Sequence, residues 1–158
     1  AAALARARPA LEALATTIFH LGPLGTGAAM KLAVNTVIFG LNQALAESLV
    51  LAEAAGIDRA RAYDVLAASA VGAPFVGYKR AAFLDPDGTP VAFALDLAAK
   101  DLRLITDFAG SLGVGLPGAM TDLEVVLSAA EAVGGGRDFS AVAQHLRTQR
   151  AIKEGPTA

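Results

Sequence analysis

The stretch TGAAMKLAVNTVIFGLNQALAESLVLAEAAG, residues 26–56, decides the fold class. It opens after the turn residues Gly22, Pro23 and Gly25 and closes on Gly56, a residue suited to the left-handed turn beyond a helix end. Between these signals we read one helix from Thr26 to Ala55, roughly 45 Å long at about 1.5 Å per residue. Leu32, Val34, Val37, Phe39, Leu41, Leu45, Leu49 and Leu51 fall on nearly all of its sides. That pattern predicts a helix surrounded by other helices. A membrane span needs about 20 nearly unbroken apolar residues. Asn35, Asn42 and Gln43 interrupt this run and Lys31 and Glu53 flank it, so we read a buried helix of a soluble protein.

Working outward, residues 1–15 read as a helix with Leu4, Leu11 and Leu14 on one stripe and Pro9 as a break or a start. Thr16–His20 is β-branched and aromatic and ends at Leu21-Gly22-Pro23, the pattern of a short strand. One strand forms no sheet, so it requires a neighbour from elsewhere. Past Gly56, Asp58 caps a helix through Ala68 with Tyr63 and Leu66 inward. Gly72-Ala73-Pro74 breaks the chain, a short helix covers Phe75–Phe83, and Asp85–Pro90 is a loop. Further helices are expected over Leu95–Leu112, ended by Gly113, and Pro117–Val133, ended by Gly134-Gly135-Gly136. A last one follows the Asp138 cap to about Ile152. The fold expected is all-α, with a βα remnant in front.

Composition agrees. The 158 residues suit one ordinary domain, 54% of them are hydrophobic, and many of these are alanine, a strong helix former. Aromatics are 6% and tryptophan is absent, which favours close-packed helices over an aromatic-rich sandwich. A net charge of −2 gives no general attraction to nucleic acid or anionic membranes, so neither is expected as a partner. With no cysteine there are no disulfides or thiolate metal sites, and a cytoplasmic protein is the default expectation. The Ala-rich opening lacks the apolar core of a signal peptide and begins at Ala1 without methionine. It reads as a fragment or processed product that starts inside a longer protein.

Gly25-Thr-Gly27-Ala-Ala-Met30 has the start of a dinucleotide-binding G-x-G-x-x-G loop, but methionine replaces the third glycine and no second strand or ribose-binding acid follows. The competing reading is a linker whose glycines allow tight packing. Lys31 lies one turn into an otherwise apolar helix, near the positive end of its dipole. Dipole and desolvation would both disfavour its charge, which suits a group passing protons near neutral pH. The alternative is a lysine whose ammonium snorkels to water. Asn35 follows one turn later on the same face, and Asn42 continues the stripe. Buried amides need partners, which a ligand or a neighbouring backbone supplies. Lys100 and Asp101 point about 100° apart, so one of them facing a cleft leaves the other to water or a partner. His20 and His145 are not at metal-ligand spacing, and no metal site is expected.

Together these residues resemble a known family. The run Phe19-His20-Leu21-Gly22-Pro23-Leu24-Gly25-Thr26-Gly27, continuing to Met30-Lys31 and Asn35, is similar to the interdomain segment of β-hydroxyacid dehydrogenases. The Phe93…Lys100-Asp101-Leu102 block and Asp138-Phe139-Ser140 resemble two later motifs of that family. The resemblance implies a helical domain of the 6-phosphogluconate dehydrogenase-like type over residues 25–152. It makes residues 1–24 the end of a nucleotide-binding Rossmann domain and 153–158 a tail. It implies that NAD or NADP serves the full-length enzyme, that the substrate is a small hydroxyacid or aldehyde-acid, and that helical domains pair as homodimers. By the same resemblance Lys31 is the general acid/base, and Asn35, Gly27, Phe93 and Asp101 bind substrate. Lys100 lies near the nicotinamide. Ala28 and Val34 stand where 6-phosphogluconate dehydrogenases have histidines, which speaks against a phosphosugar, and Lys31 is the residue that imine reductases usually replace. The Met30-Lys31-Leu32…Asn35 and Ala73-Pro74…Lys79 patterns look more like the glyoxylate/succinic semialdehyde reductase branch. The remaining alternative is a non-catalytic helical dimerisation module.

Overall fold

A helix that ends at a glycine leaves its last carbonyls for that glycine's left-handed turn to satisfy. Two such turns frame this fold. After α2 (Thr26–Ala54), Gly56 takes φ +82°, its N–H donates to Glu53 at 3.0 Å, and the Ile57 N–H donates to Ala52 at 3.0 Å. After α5 (Leu95–Ser111), Gly113 takes φ +70° with the matching bonds, Gly113 N–H to Gly110 at 3.1 Å and Val114 N–H to Ala109 at 2.9 Å. The computed structural model describes residues 2–154. Ala1, at the head of the expected first helix, and 155–158, most of the expected tail, lie outside the described residues.

The chain divides into two units, Ala1–Lys31 and Leu32–Ala158. In the first, α1 (Ala2–Glu12) contains Pro9 without ending there. The strand expected at Thr16–His20 does not form: the segment is irregular, and Phe19 is 78% exposed. Strand backbone groups are satisfied only by a ladder partner, and none is present among the described residues. Gly22 and Gly25 then turn with positive φ, and the Thr26 hydroxyl donates to the Pro23 carbonyl at 2.9 Å as α2 opens. The tight packing considered for Gly27 is absent, since nothing lies within 4 Å of where its Cβ would sit.

In the second unit, α2 is followed by α3 (Arg59–Ala68), α4 (Pro74–Leu84), α5, α6 (Pro117–Val133), a single 3-10 turn at Phe139–Ala141, and α7 (Val142–Glu154). Asp58 caps α3 by accepting from the Arg61 N–H at 3.0 Å, and the Tyr63 hydroxyl fixes α3 to α4 by donating to the Val76 carbonyl at 2.7 Å. Burial pushes the Tyr63 phenol up to about 12, only partly offset by the Arg80 charge, so it remains a donor. Helices α5 and α6 pack closely against each other, and α7 packs against α6. Leu49, Leu95, Leu102, Val126, Val142 and Phe83 are fully or almost fully buried in one core. By length and hydropathy alone α2 would suit a membrane crossing, yet Phe39, Leu45, Ala46 and Leu49 sit inside this core. The expectation that neighbours surround α2 on every side is corrected: Val34, Val37 and Leu51 remain exposed. A stripe on one side of a helix suffices for burial, and the described chain covers only that stripe.

Candidate functional site

The approach to α5 and the approach to the 3-10 turn run side by side. The Leu95 N–H donates to Arg137 at 2.9 Å, the Asp96 N–H to Gly135 at 3.0 Å, and the Phe139 N–H to Phe93 at 2.8 Å. Ala94 and Asp138 thus form an isolated antiparallel bridge. Beneath it the Asp138 carboxylate accepts from the backbone N–H groups of Ala92 (3.0 Å), Phe93 (3.3 Å) and Ser140 (3.0 Å). It also receives Lys79 of α4 at 2.8 and 2.9 Å, with both side chains almost fully buried. Burial alone would raise the Asp138 pKa. The hydrogen bonds from Lys79 and Ser140 and the lysine charge outweigh it and hold the carboxyl below its ordinary value. The Ser140 hydroxyl adds a bond to the Ala82 carbonyl at 3.1 Å. One carboxylate therefore joins α4, the 91–94 segment and the 3-10 turn.

Above this junction lies a cleft of about 290 Å³. Asn35, Ile38 and Phe39 of α2 form one wall, and Phe75, Tyr78 and Lys79 of α4 another. Ala92, Phe93 and Phe139 close it. Phe39 and Phe139 meet edge to face with ring centroids 5.3 Å apart, an orientation that sets a ring's positive edge against its partner's negative face. Asn35 is half-buried, and its amide donates to the Asp101 carboxylate of α5 at 3.4 Å, a long bond that leaves the second amide N–H and the carbonyl available. Lys100 closes on the same carboxylate at 2.8 Å. Lys100 and Asp101 divide as expected, the carboxylate inward against Asn35 and the lysine toward water, with the ammonium still within reach of the carboxylate. Asp101 is buried and Lys100 is 60% exposed.

The sequence candidates thus fall into groups. Asn35 and Phe93 line one cleft, while Asp101 and Lys100 reach its edge through Asn35. Gly27 and Lys31 belong to the N-terminal unit. Lys31 is exposed, so this chain does not supply the desolvation that the sequence suggested for it. Asn42 behaves as an interhelical bridge, its amide donating to the Phe139 carbonyl at 3.2 Å. His145 is a buried structural residue whose Nε2 meets the Ser128 hydroxyl and the Gln149 amide at 3.1 and 2.9 Å. Sequence reasoning missed the Lys79–Asp138 pair and the ring lining from Phe75 and Tyr78. A lone lysine one turn after Phe75 on an apolar helix was the available signal, but nothing local tied it to a residue 59 positions away.

Residues 25–146 match the family model described as the NAD-binding domain of NADP-dependent 3-hydroxyisobutyrate dehydrogenase. The glyoxylate/succinic semialdehyde reductase 2 of Arabidopsis thaliana is 31% identical over 145 residues, which cover 92% of this chain and 40% of that protein. A 3-sulfolactaldehyde reductase of Escherichia coli is 34% identical over 154 residues, covering 97% of this chain and 50% of that protein. The crystal structure of 3-hydroxyisobutyrate dehydrogenase from Salmonella typhimurium superimposes with a TM-score of 0.83 at 33% identity, over 90% of this chain and 50% of that one. This chain spans about half the length of these relatives or less.

Proposed function

The chain belongs to this 3-hydroxyisobutyrate dehydrogenase-like, β-hydroxyacid dehydrogenase family, and we propose that it is the helical half of an NAD(P)-dependent oxidoreductase interconverting a small hydroxyacid and its aldehyde or keto acid. The observation that carries this reading is the cleft that Asn35 and Phe93 both line, with Asp101 bonded to the Asn35 amide. In oxidation, the Lys31 amine removes the proton from the substrate hydroxyl as the hydride leaves carbon. In reduction the Lys31 ammonium returns it to the carbonyl oxygen. The 3.6-residue repeat of α2 puts Asn35 one turn after Lys31, so its amide is the group to hold the substrate's carboxylate or hydroxyl while the proton moves. Asp101 orients that amide, and Lys100 pairs with the Asp101 carboxylate from the solvent side.

A bound nicotinamide supplies or accepts the hydride. The residues described here suit only its edge. Gly25 and Gly27 open α2 without the third glycine of a phosphate cradle, and Lys100 is the side chain that would serve the nicotinamide end of the cofactor. The dinucleotide's main contacts, and the desolvation of Lys31, are assigned to a nucleotide-binding domain preceding residue 25, of which residues 1–24 are the end. The test is turnover by the full-length protein of a small 3-hydroxy acid with NAD or NADP, read as formation of reduced cofactor. Turnover is expected with one of the two cofactors, and its absence with both contradicts the proposal.

The exposed Val34, Val37 and Leu51 on α2 favour a second role, a helical dimerisation surface. Sedimentation of the 158-residue chain at micromolar concentration is expected to show a dimer, and a well-folded monomer contradicts this role. The protein is expected to work in the cytoplasm as a soluble enzyme.

A further inference from the structure

The walls of the cleft restrict the kind of acid that suits it. Phe93 lies 6.2 Å from Phe39 and 6.4 Å from Phe139, and Phe75 meets Tyr78 edge to face at 5.3 Å, so rings line the cleft from several directions. The cation on the lining, Lys79, does not act as a free charge. It is 3% exposed, and its short contacts both go to Asp138, so the pair presents no net charge to a ligand. Burial and then the neighbouring Asp138 charge push the Tyr78 phenol up, which keeps that hydroxyl neutral. The lining therefore offers a substrate neutral hydrogen-bonding groups and no free charge, and Asn35 is the one that lies one helical turn after Lys31.

Size points the same way. The cleft measures about 290 Å³, and an apolar cavity of about 150 Å³ already holds a benzene ring. A hydroxyacid of a few heavy atoms would leave most of this space as water held against aromatic faces, an unfavourable arrangement. Resting on the oxidoreductase reading above, we propose that the substrate carries a bulky apolar substituent, an aryl or branched alkyl group, that fills this ring-lined cleft while its acid and hydroxyl groups are held at Asn35. Such a substituent displaces that water and gains contact with Phe75, Tyr78 and Phe93 together.

The experiment titrates the 158-residue chain with 3-hydroxy-3-phenylpropanoate and, separately, with unsubstituted 3-hydroxypropanoate, following ring and amide resonances by NMR. The phenyl acid is expected to bind at least about 10-fold more tightly, the discrimination that apolar pockets give for added apolar groups. Its shifts should centre on Phe75, Tyr78 and Phe93. Tyr78→Ala, at a position 66% exposed and so tolerant of truncation, is expected to reduce the preference. Equal affinities, shifts centred elsewhere, or no binding of either acid overturn the proposal. Binding of the phenyl acid without turnover by the full-length protein contradicts the oxidoreductase reading and leaves the preference of the cleft standing. Turnover confined to the unsubstituted acid does the reverse.

Discussion

Asp138 shows how much of the cleft rests on one side chain. Its oxygens take the Lys79 ammonium and the N–H groups of Ala92, Phe93 and Ser140, so the segment carrying Phe93 is held from below. Removing one partner of a buried pair leaves an uncompensated charge, which costs more than the pair contributes. Lys79→Met is therefore expected to destabilise the chain by about 3–5 kcal/mol, measured by urea unfolding. The double variant Lys79→Met with Asp138→Asn should lose less than the sum of the two single losses. A loss below about 1 kcal/mol for Lys79→Met would show that the pair is not closed in solution. At this scale the sequence disclosed residues whose neighbours are local. Asn35 was legible from its place on α2, and Phe93 from the motif it shares with Lys100 and Asp101. The Lys79–Asp138 pair is made by folding, and no periodicity within α4 or at the cap of the last helix announces it.

At the scale of elements, helix boundaries were legible because turn chemistry is local. Asp58, Gly56, Gly113 and Pro117 mark ends within a residue or two of those observed. Thr16–His20 failed for the opposite reason: β-branched composition describes a surface fit for a strand, and only a partner makes it one. The solvent-facing residues of α2 were misjudged similarly, since hydropathy reports what a helix is able to bury rather than what covers it. Two glycines on one helix end provide a paired test. Gly113 sits at φ +70°, where a Cβ is strained, so Gly113→Ala is expected to cost about 1–2 kcal/mol. Gly110 is helical with open space where its Cβ would go, so Gly110→Ala is expected to stabilise by about 0.5–1 kcal/mol. Thermal melts of the two variants read the signs directly, and shifts of the same sign would contradict the turn assigned to Gly113.

For the whole molecule, the buried carboxylates set the response to acid. Glu53 is raised by its own burial, but hydrogen bonds from Arg147 and Arg59 and their charges bring it below its ordinary value. Asp138 is lowered in the same way by Lys79 and Ser140. A carboxyl lowered by folding contributes stability that is fully present above its unfolded pKa and is lost as pH falls toward its folded one. Unfolding midpoints should therefore hold near neutral pH and decline below the ordinary carboxylate range of about 4. Asp138→Asn should flatten that decline. Asp122 works in the other sense: burial and then the Glu47 charge raise it, so its ionisation opposes folding as pH rises through the folded pKa. A decline in stability that is unchanged by Asp138→Asn would contradict the assignment to that group.

The central claim is that this chain contributes the proton-transferring residue of an oxidoreductase, and Lys31→Ala in the full-length protein tests it most directly. Steady-state turnover of a hydroxyacid with its nicotinamide cofactor is expected to fall by about 10²–10⁴-fold, the usual contribution of a positioned acid/base group. The helical fold of the variant should be unchanged, because Lys31 is exposed among the described residues. Turnover within a few-fold of the unmodified enzyme would contradict the role given to Lys31.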